Sequence, residues 1–172
     1  DRYVVFNYEQ NVWFYGTLGR TAWIDRGVDE TPIAASGDHY LYDHESGLDD
    51  GSNSPATAIS SFIESSQIDL GEGDQFAFLS RLIPDITFRN STSGSPTATF
   101  TLSARNYPGG PYLQTEGDSV IKTASAPVEQ FTNQVNTRLR GRSFNLKVET
   151  AAIETTWRLG TPRVDVRPDG GR

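Results

Sequence analysis

The chain has 172 residues, 35% of them apolar and 22% charged, which is the composition of one ordinary domain or of one domain with part of another. A formal charge of −7 argues against a general nucleic-acid binder, and the absence of cysteine excludes disulfides, thiolate metal sites and a cysteine nucleophile. No run approaches the roughly 18 apolar residues that cross a bilayer as a helix, so no membrane anchor is expected.

The first readable element is Tyr3–Tyr8, which pairs with Val12–Leu18 across Glu9-Gln10-Asn11 as a hairpin. Strand alternation puts Trp13 and Tyr15 on one face of the second strand, and Val12 and Phe14 on the other. Both faces are apolar, as in a strand covered on two sides. The aromatics Trp13, Phe14, Tyr15, Trp23, Tyr40 and Tyr42 are therefore expected to pack in a core rather than to form a sugar-stacking platform. A second hairpin runs from Pro32 through Gly37-Asp38 to Tyr42, with strands predicted at Ile33–Ala35 and His39–His44. Two hairpins cannot close a core of their own, so they are expected to be completed by other chain or by another subunit. The chain contains no methionine, which fits a processed chain or, the favoured reading, a piece of a longer polypeptide.

The stretch Gly47 to Pro55 is acidic, then small and polar, and reads as an exposed connection between residues 1–55 and 56–172. Beyond it, strands are predicted at Ala58–Glu64, Gln75–Leu82, Ile86–Arg89, Thr97–Arg105, Val120–Thr123, Val135–Leu139, Ser143–Glu149, Thr156–Leu159 and Arg163–Arg167. Thr97–Arg105 is the cleanest, with Ala98, Phe100, Leu102 and Ala104 on one face and Thr, Ser and Arg on the other. Phe144, Leu146 and Val148, and then Val164 and Val166, repeat the inward pattern. Turns fall at Gly71-Glu72-Gly73-Asp74, Pro108-Gly109-Gly110-Pro111 and Gly160-Thr161-Pro162. No window carries helical periodicity. The fold class is all-β: terminal blades of a β-propeller, followed by a C-terminal β-sandwich.

Candidate chemistry is sparse. His39 and His44 lie among Asp38, Asp43, Glu45, Asp49 and Asp50, but five residues apart on one strand they face opposite sides. The acidic stretch lacks the spaced ligand order of a calcium loop. No metal, cofactor or catalytic residue is assigned, and no G-x-S-x-G elbow occurs. Charge is more informative. Residues 138–172 carry eight basic and four acidic side chains, a local +4 that leaves −11 for the rest of the chain. Arg138, Arg140, Arg142, Arg163 and Arg167 are candidate interface residues, with Asp49 and Asp50 as the acidic counterpart on a neighbouring copy. Arg140-Gly141-Arg142 reads as a hairpin turn in solvent, as a subunit contact, or as a surface facing DNA.

Several motifs, in order, carry a resemblance. They are Asn7-Tyr8-Glu9-Gln10-Asn11-Val12-Trp13-Phe14-Tyr15-Gly16 with Arg20-Thr21-Ala22-Trp23, and Asp38-His39-Tyr40-Leu41-Tyr42-Asp43-His44-Glu45-Ser46-Gly47. Ile83-Pro84-Asp85, Arg138 to Arg142, Trp157 to Arg163 and Arg167 to Arg172 follow. Together they resemble tailed-bacteriophage virion proteins of the tail hub, packaged-DNA stabilisation or nozzle type. The resemblance implies a structural, non-enzymatic subunit of the virion tail, with copies of itself in a ring (a hexamer) and with other tail or portal-vertex proteins as partners. It also implies DNA passing through a channel without sequence-specific binding. The alternative from a different class is a carbohydrate- or receptor-binding β module of a virion.

Overall fold

The computed structural model of the chain describes residues 2–28, 30–69, 72–107, 109, 110, 112 and 122–170. The described residues contain strands and turns but no helix, so the all-β class holds. The chain divides into two compact units, residues 1–56 and 57–172.

The first unit begins with β1 (Arg2–Asn7) and β2 (Val12–Thr17), an antiparallel pair in the register Asn7↔Val12 to Arg2↔Thr17. Asn7 builds the turn: its side-chain oxygen accepts the backbone N–H groups of Glu9 and Gln10 at 3.1 and 3.0 Å. Asn11 closes it with φ 54°, a conformation that asparagine tolerates. Next come β3 (Ala22–Ile24), β4 (Ile33–Ala35) and β5 (Leu41–Asp43), in the sheet order β3-β4-β5. The predicted strand His39–His44 is thus shortened at both ends. His39 sits in the turn with φ 71° and bonds back to Ser36, so the two histidines do not share a strand. The stretch 47–55, read as pure connection, contains the short β6 (Asp49–Asp50).

The second unit comprises β7 (Thr57–Ala58), β8 (Ser61–Glu64), β9 (Ile68–Asp69), β10 (Ala77–Ile83), β11 (Ile86–Thr87), β12 (Thr97–Arg105), β13 (Thr123–Glu129), β14 (Val135–Gly141), β15 (Ser143–Thr150), β16 (Arg158–Leu159) and β17 (Arg163–Pro168). A five-stranded antiparallel sheet has the order β13-β12-β15-β8, with β9 continuing the β8 edge along β15; a three-stranded sheet has the order β14-β10-β17. Inward residues of both sheets make one cluster that includes Leu79, Leu82, Phe100, Leu102, Val128, Leu139, Phe144 and Val148. Two buried threonine hydroxyls and the Trp157 indole beside it are paired. Thr137 Oγ1 donates to the Leu79 carbonyl at 3.0 Å, Thr150 Oγ1 to that of Thr97 at 2.8 Å, and Trp157 Nε1 to Ser61 Oγ at 2.9 Å.

Two expectations change here. Of the predicted strand Val120–Thr123, Val120 and Ile121 lie outside the described residues, and the observed strand is β13, beginning at Thr123. Its Pro127 is tolerated because β13 is an edge strand among the described residues. Gly71, Pro108, Pro111 and the closing Gly171-Arg172 also lie outside the described residues. Second, Arg140-Gly141-Arg142 is not a hairpin turn. β14 and β15 belong to different sheets, and the tripeptide is the corner at which the chain crosses from one to the other. Gly141 is needed there, since a Cβ would fall 2.8 Å from both Ala104 Cβ and the Arg105 carbonyl oxygen.

Candidate functional site

The β1–β2 ribbon carries the largest concentration of unsatisfied apolar surface in the first unit. Its register places Val4 opposite Tyr15 and Phe6 opposite Trp13 on one face, and Val5 opposite Phe14 on the other. The ring of Phe6 stacks on Trp13 at 4.5 Å, and the Tyr3 ring lies over Gly16, where no side chain obstructs it. These pairs hold the ribbon's shape but do not bury it. Trp13 is 68% exposed and Tyr15 74%. The predicted two-faced apolar pattern is present, while the predicted core packing is absent among the described residues. A strand pair this short gains little from its own hydrogen bonds.

The β3-β4-β5 sheet builds a second cluster around Ala34, the one buried apolar residue described in this unit. Trp23 and Tyr42 pair with Ala34 from either side in the register and so share its face. Arg20 and His44 cap them. The Trp23 and His44 rings lie 4.5 Å apart, the Arg20 guanidinium sits 4.1 Å above the Tyr42 ring, and Arg20 Nε donates to His44 Nε2 at 3.2 Å. Accepting that bond requires His44 to be neutral. Burial, and then the adjacent Arg20 charge, lower its pKa below the usual 6.5. The Tyr42 hydroxyl donates to Asp38 at 2.6 Å, which lowers the pKa of that carboxyl.

The candidate interface arginines divide into two kinds. Arg138, Arg163 and Arg167 are exposed on the outer face of the β14-β10-β17 sheet. Arg140, on the same face, is engaged within the chain. It is ion-paired to Asp169, donates to the Asp169 carbonyl at 3.0 Å and lies 3.9 Å from the Phe76 ring. Arg142, at the corner, stacks on the same ring at 4.7 Å. Across the sheet Arg81 pairs with Asp165 at 2.5 Å, a half-exposed pair that contributes about 1 kcal/mol or less. Val164, expected inside, is largely exposed. In the first unit Asp49 is half-buried and Asp50 exposed. The Asp50 carboxylate accepts the Ser52 N–H at 2.9 Å, and Ser52 lowers its pKa.

Sequence reading missed Phe76, Arg105 and Lys122, because the corner that gathers them depends on which sheet each strand joins. Two motifs distant in sequence do meet: the Asp85 carboxylate accepts the Thr161 N–H at 2.8 Å, and its carbonyl accepts that of Gly160 at 2.7 Å. Among the described residues no three of His, Asp and Glu gather as metal ligands do. No protein-family model matches the chain, and no characterised protein matches it in sequence.

Proposed function

We propose that this chain is a structural subunit of a bacteriophage tail, of the hub or nozzle kind, acting through assembly rather than catalysis. In this reading residues 1–56 are terminal propeller blades and residues 57–172 a β-sandwich. The observation that carries it is the β1–β2 ribbon, apolar on both faces and exposed on both. A ligand can cover one face of a ribbon; only protein layers cover two, and propeller blades stack in that way. Copies of the chain in a ring, with other tail or portal-vertex proteins, supply those layers. The exposed Arg138, Arg163 and Arg167 then pair with acidic loops such as Asp49-Asp50 on a neighbour, and DNA passes through without sequence-specific contacts.

A second reading, a carbohydrate- or receptor-binding module, draws support from the exposed Trp23 and Tyr40 rings and from the Tyr42 ring between Tyr40 and the Arg20 guanidinium. Native mass spectrometry of the full chain, together with a glycan array, separates the two. Closed multi-copy species with no glycan binding are expected. A monomer at all concentrations that binds defined glycans would replace the first reading with the second.

A further inference from the structure

We draw no further inference here: the strongest candidate, the apolar edge of the five-stranded sheet along β8 and β9, where Ile63 and Ile68 are exposed, carries no proposal because nothing in the structure shows what covers it.

Discussion

Single side chains decide how each unit is held. In the first unit His44 is a hydrogen-bond acceptor for Arg20, and a second proton on its ring would both remove the acceptor and set two cations together. The pKa of folded His44 lies below the ordinary 6.5, so between those values the unfolded chain binds the proton more readily than the folded one. The stabilisation from neutral His44 is therefore complete above about pH 6.5 and is lost as the pH falls toward the folded pKa. NMR titration, with His44→Gln identifying the signal, is expected to give a midpoint below 6.5, and Arg20→Gln is expected to raise it. A midpoint at or above the ordinary value would show that the Arg20 contact does not form in solution. In the second unit the comparable position is Gly141. Gly141→Ala places a methyl group 2.8 Å from backbone and from Ala104, neither of which is the free end of a flexible side chain. A loss of about 1–3 kcal/mol in denaturant unfolding is expected, and a neutral result would mean that the β14–β15 corner relaxes.

At the level of elements, legibility followed the strength of the alternation. Thr97–Arg105 is strand β12 over the full predicted length, because apolar and polar residues alternate without interruption and the strand pairs on both sides. Elements were missed for specific reasons. β3 is three consecutive apolar residues and so shows no period; β13 is made largely of small residues around a proline; β6 and β9 are too short to carry any pattern. The misreading of Arg140-Gly141-Arg142 has a different cause. A glycine between two alternating runs signals a change of direction, but not whether the next strand returns to the same sheet or crosses to another. The outer-face parity of Arg138 and Arg140 was legible, whereas the Asp169 partner of Arg140 was not, since it depends on β17 lying beyond β10. The β1–β2 ribbon is the element with most at stake. Replacing Trp13 and Tyr15 by serine removes exposed aromatic area from one face of the ribbon. Stability of the second unit is expected to stay within about 0.5 kcal/mol of the parent, while multi-copy assembly is lost. Analytical ultracentrifugation alongside thermal unfolding measures both, and assembly persisting in the double variant would move the interface elsewhere.

For the whole molecule, charge and core are distributed in opposite ways. Residues 1–56 hold ten acidic and three basic side chains and so carry the entire −7, while residues 57–172 hold twelve of each and are neutral. The buried cluster lies wholly in residues 57–172, whereas among the described residues of 1–56 the buried apolar set is Ala34 alone. A unit with seven uncompensated charges and one buried alanine has strong self-repulsion and little apolar burial to oppose it. Ordering its backbone costs on the order of 1–2 kcal/mol per residue, which burial of this extent does not offset. Residues 57–172 face the same cost with a core shared between two sheets and with the buried hydroxyls of Thr137 and Thr150 paired to backbone carbonyls. Expressed separately, 57–172 is expected to unfold cooperatively on heating with a concentration-independent midpoint. Residues 1–56 are expected to give no cooperative transition alone. They should gain one only in high salt, which screens the repulsion, or at concentrations where the ribbons cover one another. A 1–56 fragment that melts cooperatively as a dilute monomer in low salt would mean that the aromatic ribbon needs no partner, and the assembly reading would fall with it.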